Sequence, residues 1–147
     1  MNKKEVAIKL FSQDKFNCAQ SVFGAFTDEL GIDQDTALRC AAGFGGGMRC
    51  GEVCGAVTGA LMALGLRFGS STPCDTEGKQ RGNTKAMEFI TRFQQAHGTL
   101  MCKELLGYNP GIPEDAQKIN ELGLHDSICP PAITSAVEIA EDIISQG

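Results

Sequence analysis

Apolar residues recur at three- and four-residue intervals along most of the chain, and no stretch alternates in the manner of a strand. Val6, Leu10 and Phe11 predict a first short helix. Val22, Phe23, Phe26 and Leu30 predict a second, from an N-cap at Asn17 to a stop at Gly31. Asp33 caps a third, carrying Ala37, Leu38 and Ala41 and ending at Gly43. A glycine-rich turn, Gly43 to Gly51, leads into a fourth helix from about Glu52 to Phe68. Gly69 to Gly82 reads as a polar loop. A long helix follows, with Ala86, Phe89, Ile90, Phe93 and His97 on one face and a break at Gly98, and Thr99 caps a continuation through Leu106. Tyr108 to Cys129 reads as irregular apart from a helical turn near Glu114 to Leu122. Pro130 and Pro131 open a last helix that buries Ile133, Ala136, Val137, Ala140 and Ile144. The expected fold is all-α, a single domain over residues 1–147 built as a bundle of about six helices.

One helix face stands out. Gly51, Gly55, Gly59 and Ala63 are spaced four apart and form a stripe with almost no side chain. Glycine costs up to about 1 kcal/mol relative to alanine in a helix. Close approach of another backbone or of a cofactor is expected to offset that cost, and Gly55 is a candidate cofactor contact.

Charge narrows the partners. Thirteen Lys and Arg against eighteen Asp and Glu give a net −5, which argues against nucleic acid, because phosphate contacts need clustered cations. The first ten residues lack the apolar core of a signal peptide. The run Val53 to Leu66, interrupted by glycines and a threonine, is too short to span a bilayer. The expectation is a cytoplasmic protein that is not membrane-embedded.

Within that frame the seven cysteines carry the chemistry: Cys18, Cys40, Cys50, Cys54, Cys74, Cys102 and Cys129. An odd count without an export signal points to metal or redox work and away from a disulfide framework. Cys18, Cys54, Cys102 and Cys129 each fall at or just before the start of a predicted helix. There the backbone N–H groups and about half a positive charge favour a thiolate. The competing reading of any one of them is a small buried hydrophobic residue. For Cys40, beside Ala41 and Ala42, that reading is the stronger. Cys50 and Cys54 are four apart, which permits a redox pair or two metal ligands and makes Cys50 a candidate cofactor contact. Cys74 follows Pro73 in the polar loop, as an accessory ligand or an exposed thiol.

The segment Cys54-Gly-Ala-Val-Thr-Gly59, with an earlier cysteine and two later ones, resembles the family named for its cysteine pattern, C_GCAxxG_C_C. Cys18 within Phe16-Asn-Cys-Ala-Gln20 is similar to its first cysteine and Cys54 to its motif cysteine. Cys102, within Cys102-Lys-Glu-Leu-Leu-Gly107, and Cys129 are similar to the third and fourth. The resemblance covers nearly the whole chain. It implies a redox-active protein, an oxidoreductase or electron-transfer component, and leaves the substrate open.

Two uses of these four cysteines as catalytic or metal-binding residues follow. They hold an iron–sulfur cluster, whose usual ligand set they match, or they cycle between thiols and disulfide. In either case a redox partner protein of unspecified kind is implied. A structural or sensing module with Cys-bound zinc is the first alternative. A homodimer with the glycine stripe as its seam and inert cysteines is the second. The Gly43–Gly51 turn could cradle an anion but lacks the Lys-Ser/Thr of a P-loop and the dinucleotide fingerprint. Arg49 is either a partner of thiolate or cluster charge, or a solvated side chain. His97, on an apolar face, reads as a satisfied core histidine before a ligand or proton shuttle. His125 reads as a surface-loop residue, with joining Cys129 at a metal as the sharper alternative.

Overall fold

Asn2 and Asn17 start the first two helices by the same device. The Asn2 side chain accepts from the Glu5 N–H at 2.9 Å while the Glu5 carboxylate accepts from the Asn2 N–H at 3.2 Å, opening α1 (Lys3–Ser12). Asn17 accepts from the Gln20 N–H at 2.8 Å, and Gln20 accepts in return at 3.0 Å, opening α2 (Cys18–Gly24). Cys18 is thereby fixed as the first helical residue.

The computed structural model describes all 147 residues and is all-helical. The remaining helices are α3 (Thr27–Leu30), α4 (Gln34–Cys40), α5 (Gly55–Phe68), α6 (Thr76–His97), α7 (Cys102–Leu106), α8 (Pro113–Leu122), α9 (Leu124–Ser127) and α10 (Cys129–Gln146). Helices α1, α2, α5, α6 and α10 pack against one another around Phe26, Val57, Leu64, Phe89, Phe93, Ile133, Val137 and Ile143, all buried. No helix is long and apolar enough to cross a membrane.

The helices outnumber the six expected, for local reasons. The second expected helix breaks into α2 and α3, where the Thr27 hydroxyl donates to the Gly24 carbonyl at 2.9 Å, and Gly31 ends α3 in the left-handed region. The loop expected over 69–82 is cut short. Asp75 accepts from the Gly78 N–H at 3.0 Å and from the Ser70 hydroxyl at 2.6 Å, so α6 starts at Thr76. Its early Gly78 is used for close packing, since a Cβ there would sit 2.8 Å from the Ser70 Cβ. The irregular stretch expected over 108–129 holds α8, with Pro113 in its first turn and Ile119 buried, and the short α9.

The glycine stripe is occupied from within the chain. A Cβ on Gly59 would lie 2.5 Å from the Ala19 carbonyl oxygen, and one on Gly55 would lie 2.9 Å from the Ala19 nitrogen and 3.1 Å from the Cys18 Cβ. The backbone of α2 therefore rests directly on α5, which leaves no seam for a second copy at these residues. Gly51 lies outside α5 and faces Asn109 instead.

Candidate functional site

Four helix starts meet at one place. Cys18, Cys102 and Cys129 are the first residues of α2, α7 and α10, and Cys54 is the N-cap of α5. All four line one small cavity of about 30 Å³, together with Gly46, Gly55, His125 and the apolar wall of Leu105, Leu106, Ile128 and Ala132. Cys54, Cys102 and Cys129 are buried and Cys18 is half-buried; none is in a disulfide.

Backbone contacts hold them there. An isolated antiparallel bridge pairs Val53 with Met101. Through it the Cys54 N–H donates to the Leu100 carbonyl at 2.7 Å and the Cys102 N–H donates to the Glu52 carbonyl at 2.6 Å. The two thiols are thus tied together across 48 residues of sequence. Gly47 permits the approach, because a Cβ there would meet the Glu52 backbone and sit 2.9 Å from the Cys102 Cβ. Asn17 anchors Cys18 on the other side, its side-chain amide donating to the Ala42 carbonyl at 3.0 Å.

His125 and Cys129 face the same way although they belong to different helices. The linking residue Ile128 keeps a right-handed helical conformation (φ −96°, ψ −41°), so the i,i+4 relationship survives. The Cys129 Sγ lies 3.6 Å from the His125 Nδ1. The imidazole is otherwise exposed and so joins solvent to a buried sulfur.

The electrostatics separate the four thiols. Cys129 is pulled down to about 6, first by the Cys18 thiol donating toward it and then by His125. Cys18 is pushed up by the same contact, by burial, and by the repulsion its thiolate would meet from the other three. Burial pushes Cys54 up to about 11, outweighing the Ala56 and Val57 N–H groups that pull the other way. Burial and the two neighbouring thiols push Cys102 up to about 12. His125 is raised, chiefly by its contact with Cys129.

The expectation that every helix start favours a thiolate is therefore corrected. Desolvation wins at Cys54 and Cys102, and at Cys18 the contact with Cys129 comes first, with burial behind it. At Cys129 the low value comes from side chains, since Pro130 and Pro131 carry no N–H to offer.

Other candidates lie apart. Cys50 is exposed, its thiol directed at the Gly47 carbonyl 3.4 Å away, and it does not line the cavity. The left-handed conformations of Met48 and Arg49 unwind the chain there, and α5 begins only at Gly55, so Cys50 and Cys54 never share a helix face. Cys40 is exposed because Ala37 and Ala41 take the inner face of its helix. Cys74 is also exposed. His97 packs on Phe93 with ring centroids 4.3 Å apart, away from the cysteine cavity. Its Nε2 is buried without a hydrogen-bond partner, so it is not the satisfied core histidine expected.

The thiols are the right number and kind for an iron–sulfur cluster, but as arranged they do not fit one. The space between them is about that of one water molecule. No three Cys, His, Asp or Glu side chains anywhere in the chain form a group able to hold a metal ion, which applies to zinc as well.

Four cysteines from distant parts of a helical chain line one cavity, and they are the site that a family comparison bears on. The chain is a member of the C_GCAxxG_C_C family, described as "Putative redox-active protein", whose pattern matches residues 16–143. No curated protein and no solved structure matches the chain.

Proposed function

We propose that Cys18 and Cys129 form a thiol–disulfide redox centre. The observation that carries this reading is that Cys18 and Cys129 line one small cavity, with the Cys129 sulfur backed by His125 Nδ1 at 3.6 Å. Cys129 holds the charge at rest. It takes the Cys18 proton as Cys18, which also lines the cleft open to solvent, attacks an oxidised partner. Cys129 then displaces the bound group and closes the disulfide. Cys54 and Cys102 stay neutral and wall the cavity, chiefly because burial disfavours their thiolates and secondarily because of the neighbouring charge.

The test is oxidation of the full chain by a small disulfide, read by intact mass and mapping of the cross-link. A single Cys18–Cys129 bond is expected. Cross-links confined to the exposed Cys40, Cys50 and Cys74 would overturn the reading.

Ligation of an iron–sulfur cluster by the same four cysteines is the second reading. It is favoured by the four thiols lining a common cavity, and it requires that cavity to widen. A brown protein with stoichiometric iron and acid-labile sulfide after purification without oxygen would shift the assignment to it. A colourless, iron-free protein leaves the dithiol reading in place.

A further inference from the structure

A second cavity lies outside the first. It is a cleft of about 410 Å³ between the end of α1, the glycine-rich turn and the α8–α9 region. Cys18, Gly46 and His125 line both spaces, so the cleft leads from solvent to the dithiol.

Its walls carry two cations, Lys15 and Arg49, against one carboxylate, Asp126. Neither cation is in an ion pair. Both hold left-handed backbone conformations, with φ of 65° at Lys15 and 64° at Arg49. Glycine is the residue that adopts this region without cost, and the chain uses it for most such positions. Lys15 follows α1, where the Phe16 N–H donates back to the Leu10 carbonyl at 3.0 Å, a turn that glycine usually closes. Arg49 sits in a turn that has glycine at 45, 46, 47 and 51. At two separate turns a strained cation stands where a glycine would relax the chain, and both cations line one cleft. Strain of this kind gathers at functional sites.

We infer that this cleft binds a small disulfide bearing carboxylates and presents its S–S bond to Cys18, with Lys15 and Arg49 receiving the anionic groups. The inference rests on the dithiol reading above and adds the class of substrate.

The exchange balances with no further reagent. The Cys18 thiolate, having passed its proton to Cys129, attacks one sulfur of RS–SR. The Cys18–SR bond forms as the S–S bond breaks, and RS⁻ leaves and takes a proton from water. Cys129 then attacks the Cys18 sulfur, and its proton goes to the second RS⁻. The dithiol loses two electrons and the substrate gains them as two RSH.

The experiment compares oxidation rates of the whole protein by dithiodiglycolate, which is anionic, hydroxyethyl disulfide, which is neutral, and cystamine, which is cationic, at low and high salt. At low salt the wild type is expected to prefer the anion to the neutral probe at least tenfold, relative to each probe's rate with a free thiol, with cystamine slowest. High salt should compress the order. The variant Lys15→Gly/Arg49→Gly relaxes both strained positions, so it should melt no lower than wild type, and its anion-to-neutral ratio should fall about tenfold. Arg49→Gln and Lys15→Gln should act in the same direction, and Arg49→Lys should restore most of the ratio. Equal relative rates for the three probes in wild type, or an unchanged ratio in the double variant, would overturn the substrate class while the dithiol centre stands. Failure of all three probes to oxidise Cys18 and Cys129 would sink both.

Discussion

The Cys129 Sγ and the His125 Nδ1 stand 3.6 Å apart across the junction of two helices, and this contact helps to keep a buried sulfur ionised. Removing it should move the thiolate. Titration of thiolate ultraviolet absorbance, taken as the difference between wild type and Cys129→Ser, should give a midpoint near 6. In His125→Gln the midpoint should rise by about one unit. An unmoved midpoint would mean that His125 plays no part in holding the charge.

Cys18 is the larger influence on the same sulfur. Cys18→Ala should therefore raise the Cys129 midpoint further than His125→Gln does. It should also leave Cys129 without a resolving partner. Mass spectrometry after treatment with a small disulfide should then show no intramolecular bond at Cys129, only an adduct or no reaction. A Cys129 cross-link to Cys54 or Cys102 of comparable yield would show that the pairing is not specific to Cys18.

The helical periodicity and the four helix-start cysteines were legible because both are written locally, in apolar spacing and in capping residues such as Asn17 and Asp33. The meeting of the four starts was not, since it depends on the Val53–Met101 bridge and on the Gly47 approach to Cys102, contacts between distant segments. The α6 start was hidden by Gly78 and Gly82, and the packing role of Gly78 is invisible without Ser70 beside it. Helix-start position alone predicted four thiolates, and only tertiary properties, burial at Cys54 and Cys102 and the contact with Cys129 at Cys18, decide that three stay neutral. His125 could have been weighted more heavily from its four-residue offset to Cys129. Lys15 carries no sequence signal, because its strain is visible only in the backbone.

Two of the three α5 glycines, Gly59 and Gly65, should respond oppositely to alanine. At Gly59 a Cβ would press to 2.5 Å on the Ala19 carbonyl oxygen, so Gly59→Ala must separate α2 from α5. That should cost about 1–3 kcal/mol and disturb the Cys18 position with it. At Gly65 the space is open, and alanine there should add about 0.5–1 kcal/mol through its better helix propensity. Denaturant titration of the two variants checks the pair. Equal losses would mean that the stripe is not a contact between backbones.

Stability should fall as the solution turns alkaline. The Cys54 thiol ionises at about 11 in the fold, against an ordinary value of 9. Above pH 9 the unfolded chain gives up that proton while the folded protein must keep it, so the unfolded state binds fewer protons and stability declines with rising pH. The decline continues until the folded thiol also ionises, and two units correspond to about 3 kcal/mol for this group. Cys102, raised to about 12, and Cys18 act in the same direction. Cys129 does not contribute above pH 9, because its folded value lies below its unfolded one and its effect is complete by then. Denaturant midpoints measured at pH 8 and pH 10.5 should therefore drop for wild type and drop less for Cys54→Ala, whatever that variant loses at pH 8 from its missing sulfur. A parallel fall in both proteins would place the alkaline sensitivity elsewhere than in Cys54.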